Sequence, residues 1–439
     1  VIAPLPAGFR ITMDVGARQL DDSTWFGGSP ERVMKLSGAG RKALAELLAG
    51  PVASRNAGIL ARRLTDAGLA HPRPADAGGL DVTVVIPVRD RAAALDRCLG
   101  GLGRDSPVVV VDDGSLDPDA VAAVVRRHGA VLVRRDRNGG AGPARNTGLE
   151  HVDTEFVAFV DSDCVTGVGW IDALAGHFAD PLVAAVAPRV AGLLDLGDQP
   201  ARVMPRARVA YVPTAALLVR RAALAAVGSF DETIGRGEDT DLVWRLHEGG
   251  WRVRYDPAVV VRHDETTTLS ELCARRFRYG QSAGPLAVRH PSAVTPLVLY
   301  PWPTLTVLAL LARRPGLAVV GYGCSVVAMG RDMRRAGLSA DGVGVAMLKA
   351  VYQTWLGIGR YAVQYGAPGL VVGMVVPRWR VAVGALVVAD WLAGRRGGLV
   401  REVAGDVAYG AGVWVGCVKA RTVVPVRPVL AWRPLRVSG

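Results

Sequence analysis

Cysteine is scarce in this 439-residue chain, and the five present, Cys98, Cys164, Cys273, Cys324 and Cys417, stand far apart with no C-x-x-C pair. A disulfide framework is therefore not expected, and a reduced, cytosolic setting is. The opening VIAPLPAGFRITMD has no basic region ahead of an apolar core, so no secretory signal is expected. The turn after the first strong apolar strand lacks G-x-G-x-x-G, which counts against a dinucleotide fold. It also lacks the glycine-rich turn with a basic residue that would hold a triphosphate. Acidic residues are nearly absent from the tail: residues 291–439 hold 5 Asp/Glu against 17 Lys/Arg, which accounts for the whole net charge of +12. A basic tail interleaved with long aliphatic runs points to an anionic membrane surface and away from nucleic acid.

The length calls for two or three domains. Half of the residues are hydrophobic, and glycine and proline together number 80, a composition that fits a globular enzyme with a membrane-like attachment. Residues 1–75 read as a small α+β unit. GFRITMD and the segment through Trp25 and Phe26 alternate as short strands, and Gly27 and Gly28 turn the chain. Ser37 caps a helix whose Leu44, Leu47 and Leu48 share a face and which Gly50 and Pro51 stop. A second helix runs from about Ser54 to Ala67 with Ile59, Leu60 and Leu64 inward, and HPRPADAGG follows as a linker. The pattern is winged-helix-like and resembles the PqqD-type domains that recognise precursor peptides. That resemblance implies an extended peptide added as a strand on a sheet edge; an ordinary winged-helix cap packed on its neighbour is the alternative.

EFVAFVDSDC, residues 155–164, is the centre of the chain. Phe156 to Val160 is a short continuous apolar run, hence a strand buried on both faces, and it delivers Asp161 and Asp163 at its carboxyl end. Open parallel sheets bind their ligands there. Two acids one residue apart can both face a hard divalent cation that holds a diphosphate, or can cap a turn and meet solvent. Upstream, DVTVVIPVRDR gives a strand from Val82 to Ile86 ended by Pro87, then a helix with Leu95, Cys98 and Leu99 on one side. PVVVVDDGS gives a second buried strand ending in Asp112 and Asp113, completing a βαβ unit. In RNGGAGPARNTGL, Gly139, Gly140 and Gly142 permit a tight turn, and Ala144, Arg145 and Asn146 begin a helix whose first turn can lie against a ligand. Downstream, Thr214 to Val219 reads as a strand, and GEDTDL opens a helix with Leu242 and Leu246 inward. Glu238 and Asp239 thus sit at a helix amino terminus. The dipole there favours the ionised carboxylate, which leaves Asp239 as a proton acceptor or as the helix cap.

In order and spacing, VIPVRDR, VVDDGS, RNGGAGPARNTGL and FVDSD resemble the family 2 glycosyltransferases, over about residues 82–280. The resemblance implies a GT-A fold, an α/β, Rossmann-like core with a mixed, mostly parallel sheet, and metal-dependent inverting transfer from a UDP-sugar. It puts Pro87 and Arg89 in the nucleotide pocket, Asp112 or Asp113 on the uracil N–H, and Arg145 and Asn146 beside the base or diphosphate. It assigns Mg²⁺ or Mn²⁺ to Asp161, Asp163 and His263, with Ser162 at the donor, and makes Asp239, next to Glu238, the general base. Arg275, Arg276 and Arg278 in RRFRYGQ would steady the diphosphate; processive synthases of the family carry Q-x-x-R-W near here, and this chain departs from it.

The most apolar runs of the tail, about residues 294–312 and 316–330, are at or below the roughly 17 to 25 residues a spanning helix needs. A hairpin about RRPG is expected, with Arg331, Arg334 and Arg335 marking its cytoplasmic end. The runs 370–376 and 381–392, split by PRWR, read as interfacial or as a second hairpin, and a buried helical subdomain is the alternative. Three regions follow: a peptide-recognition module at 1–75, a GT-A domain at 80–290, and a membrane-associated helical region at 291–439. Together they resemble the glycosyltransferases of mycofactocin systems. That likeness implies glucose moved from UDP-glucose onto a peptide-derived redox cofactor or its precursor, as a short β-linked chain, on the cytoplasmic side of the cell membrane. A lipid or cell-wall glycan acceptor is the alternative within the enzyme class. An inactive peptide-binding scaffold is the alternative outside it, against which Asp161, Asp163 and Asp239 argue.

Overall fold

The computed structural model describes residues 2–75, 79–103, 106–192, 194–264, 268–335, 337–394, 398–432 and 437–438. Two compact units are present, Val1–Thr266 and Thr267–Ser438. The RRFRYGQ segment, expected at the end of the catalytic region, therefore belongs to the second unit.

The first unit opens with β1 (Arg10–Met13), β2 (Arg18–Asp21), β3 (Thr24–Gly27), β4 (Arg32–Lys35), α1 (Gly38–Ala49), α2 (Arg55–Asp66) and β5 (Ala70–Arg73). Ser37 and Ser54 cap the two helices, their hydroxyls accepting from the Gly40 and Ala57 N–H groups at 3.2 and 3.1 Å. The strands β2, β3 and β4 form an antiparallel meander, and β1 pairs with β5. There are thus five strands here, more than the two alternating segments of the sequence suggest. The first residues taken for a linker, His71 to Arg73, are strand, while residues 76–78 of that stretch lie outside the described residues. Phe9, Leu44, Leu47, Leu60 and Leu64 share a core, but Leu48 stands 59% exposed because the buried face of α1 centres on Ala43, Leu44 and Leu47.

There follow β6 (Val82–Val88), α3 (Ala92–Gly101), β7 (Val108–Asp112), α4 (Pro118–His128), β8 (Val131–Arg134), α5 (Ala141–Leu149), β9 (Phe156–Val160), β10 (Cys164–Val165), α6 (Trp170–Ala175), β11 (Val183–Ala191), β12 (Ala201–Val203), β13 (Ala216–Arg220), α7 (Arg221–Val227), α8 (Glu238–Glu248) and β14 (Arg252–His263). Their sheet runs β10-β14-β11-β13-β9-β6-β7-β8, with β12 paired to β14. The ladders β9/β6, β6/β7, β7/β8 and β11/β14 are parallel, and those made by β13, β10 and β12 are antiparallel. Every residue of β6 and β9 is buried, as their unbroken apolar sequences require. Pro87 does not end β6. The ladder to β9 stops at Val85, so Pro87 is paired on one side only, opposite Val111, where a missing N–H is tolerated. Strand order reverses between β6 and β9, which makes their carboxyl ends the switch point of the sheet.

Ion pairs, one of them fully buried, join the amino-terminal module to this sheet. Arg62 of α2 grips Asp180 through two bonds of 2.6 and 2.7 Å, with both side chains 1% exposed. Asp66 takes Arg252 at 2.8 Å and Arg202 at 3.2 Å.

The second unit is helical: α9 (Leu269–Gly280), α10 (Ala283–Arg289), α11 (Pro301–Leu311), α12 (Pro315–Arg335), α13 (Val343–Val375), α14 (Arg380–Gly394) and α15 (Leu399–Lys419), with a short parallel pairing of Val298–Leu299 and Val429–Leu430. The helix α13 bends at Gly366, just before Pro368. The α11–α12 hairpin turns at Arg313 and Arg314 as the RRPG motif suggests. Among the described residues, however, no helix is long and apolar enough to cross a membrane.

Candidate active site

Asp161 leaves β9 at the switch point, where its Oδ1 accepts from Arg145 Nη2 at 2.6 Å. Arg145 comes from α5, which starts at Ala141, a turn earlier than the sequence suggests; Gly140 precedes it at φ +94°, a conformation glycine adopts without strain. The other arm of the guanidinium, Nη1, donates to Glu238 Oε1 at 3.0 Å, and the Phe230 ring lies 5.4 Å from its centre. Burial would lower the Arg145 pKa, but the charges of Asp161 and Glu238 hold it above its ordinary value. One buried cation thus ties the acid at the end of β9 to the acid that begins α8. Asn146 turns the other way: its side chain exchanges hydrogen bonds with the Phe230 backbone at 2.8 and 3.1 Å and donates to Glu232, which fixes the 228–232 turn.

Asp163 lies two residues on, with its Oδ1 3.3 Å from His263 Nε2 and its Oδ2 paired with Arg91. Register brings the histidine here, since Cys164 of β10 sits opposite His263 of β14. Burial alone would raise the Asp163 carboxyl, yet His263 and Arg91 keep it below the usual range. The ligating atoms of Asp163, Cys164 and His263 lie within 4.8 Å of one another. Burial, reinforced by Asp161 and Asp163, pushes the Cys164 thiol far up, so it stays protonated and is a poor ligand for a hard cation. Asp161 is outside this group. Asp163 and His263 therefore meet as the sequence predicts, whereas the Asp161 carboxylate is directed to Arg145.

Asp112 and Asp113 are both committed to loop structure. Asp112 accepts from the Ser115 N–H at 2.8 Å and pairs with Arg134. Asp113 accepts from the Gly139 and Gly140 N–H groups at 3.0 and 2.7 Å and pairs with Arg135 at 3.1 Å, so it holds the glycine turn that leads into α5. Ser162 is buried, as is Pro87, and Arg89 is exposed beside Asp90.

Gly237, at φ +82°, is the residue that caps α8, so Glu238 and Asp239 are its first two helical residues and Asp239 is not the cap. Asp239 Oδ1 accepts from the Thr240 N–H at 2.6 Å. Burial and the charge of Glu238 push the Asp239 carboxyl up to about 7. The direction is opposite to that expected from the helix terminus, because desolvation outweighs the dipole and the single N–H bond. Arg275, Arg276 and Arg278 lie on α9 of the second unit, where Arg276 stands 3.7 Å from Asp406. The sequence does not single out Arg91, Arg134 and Arg135, because the aspartates they pair with lie 72 and 22 residues away in the chain.

Acids at the switch point of a mixed, mostly parallel sheet, linked to an acid at the start of a facing helix, mark a ligand-binding cleft at the carboxyl ends of the strands, and the relatives of the chain make it that of a sugar-nucleotide-dependent transferase. The family description Glycosyl transferase family 2 matches residues 83–214, and Glycosyl transferase family group 2 matches residues 157–334. A pre-mycofactocin glycosyltransferase of Mycobacterium tuberculosis is 38% identical over 474 residues, covering 97% of this chain and 98% of that protein. Glycosyltransferase AglE of Haloferax volcanii is 26% identical over 226 residues, covering 46% of this chain and 72% of AglE. Among solved structures, a mannosyltransferase of Pyrobaculum calidifontis in complex with GDP-Man and Mn2+ is similar at a TM-score of 0.41 and 19% identity, covering 73% of this chain and 89% of that one. The chain belongs to the family 2 glycosyltransferases of mycofactocin systems.

Proposed function

We propose that the chain transfers glucose from UDP-glucose to pre-mycofactocin, a peptide-derived acceptor, with inversion at the anomeric carbon. The observation that carries this reading is the Arg145 bridge, which joins the Asp161 carboxylate to Glu238, the chain neighbour of Asp239. One buried cation thereby links the donor acid to the residue beside the acceptor base.

In the proposed step Asp239, whose Oδ1 is engaged by Thr240, takes the acceptor's hydroxyl proton on Oδ2. The acceptor oxygen bonds to C1 as the bond from C1 to the diphosphate oxygen breaks, and UDP leaves with that electron pair. A carboxyl titrating near 7 is a stronger base than an ordinary aspartate and is still deprotonated at neutral pH in a substantial fraction of molecules. Asp163 and His263 offer an oxygen and an imidazole donor that would suit Mn²⁺ or Mg²⁺, with the protonated Cys164 a poor ligand beside them; Asp161 would join them only by releasing Arg145. Such a cation, when bound, neutralises charge on the departing diphosphate. Repetition on the product would build a short β-linked chain.

Two further parts of the reading concern partners. The strand β2 is at the outer end of its meander with all four residues exposed, an edge on which an extended peptide can add. The aliphatic side chains exposed on α11 to α14, together with the basic tail, support attachment to the cytoplasmic face of an anionic membrane. The test of function combines purified chain, Mn²⁺ or Mg²⁺, single UDP- and GDP-sugars, and either pre-mycofactocin or lipid-linked acceptors. Mass spectrometry should find one or more hexoses added to pre-mycofactocin from UDP-glucose, β-linked by NMR. Transfer to lipid acceptors alone, or an α-linked product, would overturn the acceptor or the inverting part respectively.

A further inference from the structure

The second unit contains a cavity of about 380 Å³ among α11, α13 and α14. Aliphatic and aromatic side chains line it, among them Val307, Val351, Tyr352 and Trp355, and Arg313 is its only charged lining residue. At about 30 Å³ for a group the size of water, it has room for roughly a dozen methylene-sized groups. Its rim is apolar as well: Leu310, Leu348 and Val381 line the cavity and are 56%, 57% and 63% exposed. A cavity bounded outward by aliphatic side chains opens favourably to hydrocarbon and poorly to a polar solute.

Arg313 supplies an independent observation. It follows the end of α11 at φ +56°, its N–H bonds to Leu310 O at 3.0 Å, and the Arg314 N–H bonds to Ala309 O at 2.8 Å. This is the Schellman pattern, in which the left-handed position is normally glycine. An arginine there carries backbone strain that glycine would avoid. The side chain retained at that position stands at the mouth of a hydrocarbon-lined cavity.

We propose that this cavity holds one acyl chain of an anionic glycerophospholipid, with the lipid phosphate on Arg313. The inference rests on the membrane-surface reading above and adds a specific lipid site to it. An apolar slot fits the chain, and a guanidinium at its mouth fits the phosphate in charge and in its capacity for two hydrogen bonds.

The test uses the full chain with vesicles of phosphatidylcholine alone or mixed with phosphatidylglycerol, including lipids brominated on the acyl chain. Wild-type chain should bind the mixed vesicles, and the bromines should quench the fluorescence that Trp355→Phe removes. Ala385→Trp, which fills the cavity, should abolish that quenching in vesicle-bound protein. Arg313→Gly, which suits the left-handed backbone and so preserves the fold, should reduce the preference for phosphatidylglycerol about fivefold. Arg314→Gln, outside the cavity, should leave quenching per bound molecule unchanged. Failure of wild-type chain to bind any vesicle would end the membrane reading and this inference together. Binding without Trp355 quenching, quenching that survives in Ala385→Trp, or undiminished lipid preference in Arg313→Gly would overturn the lipid site and leave membrane attachment standing. Native mass spectrometry that finds a non-lipid aromatic compound held in its place would overturn it as well.

Discussion

Asp239 sets the pH behaviour of the site. Its carboxyl titrates near 7, so transfer should rise with pH through about 7 and level off above it, as read from kcat/KM profiles. Asp239→Asn should cut kcat by roughly 10² to 10⁴-fold and leave UDP affinity, measured by calorimetry, nearly unchanged. The same shift has a stability consequence. With a folded pKa above the ordinary 3.8, the native state holds an extra proton between about 4 and 7. The associated stability is present below pH 4 and lost as pH rises through 7, so Asp239→Asn should raise Tm at pH 8 relative to wild type more than at pH 4. Arg145→Met leaves Asp161 and Glu238 without their shared cation. It should shift the kinetic midpoint to higher pH, because Arg145 lowers the Asp239 pKa, and should cost about 3 to 5 kcal/mol in denaturant melts. The acids were legible in the sequence because each follows an apolar run or opens a helix. Arg91 was not, since nothing local joins it to Asp163, 72 residues away. Nor was the destination of Arg145, which depends on how α5 and α8 approach.

At the level of elements, β6, β7 and β9 were readable because a strand covered on both faces has few sequences open to it other than an unbroken aliphatic run. The strands of the amino-terminal module were harder: four residues with one exposed face carry little periodicity, and β5 includes a proline that reads as linker. The sequence suggests a start at Ala144, three residues later than the observed one; Pro143 lies in the first turn of α5, which accommodates proline. Gly148 shows how tightly α5 is set. A methyl group there would come within 2.4 Å of Val85 Cγ1 and 3.1 Å of Val111 Cγ2. Gly148→Ala should therefore lift α5 from β6 and β7, at a cost of about 1 to 3 kcal/mol in urea unfolding. It should also lower kcat, since Arg145 travels with the helix.

Across the whole molecule, the catalytic half was legible as successive βαβ pieces, and the helical unit was not. An aliphatic run of helical length has the same composition whether it faces lipid or neighbouring helices, so composition alone does not separate the two. The sequence also does not show the ion pairs that tie residues 1–75 to the sheet that follows. Asp180→Ala should cost about 3 to 5 kcal/mol by stranding a buried arginine, and the double change Arg62→Met with Asp180→Leu should recover most of it; thermal melts of the three variants test this. The separation of that pair in the chain bears on biosynthesis. Arg62 leaves the ribosome 118 residues before Asp180, an interval of the order of ten seconds at ordinary elongation rates. During that interval the nascent amino-terminal segment carries a cation meant for an interior not yet made, so it completes its own burial only when the later strands arrive, and any pause in translation between the two prolongs its exposure to chaperones and proteases.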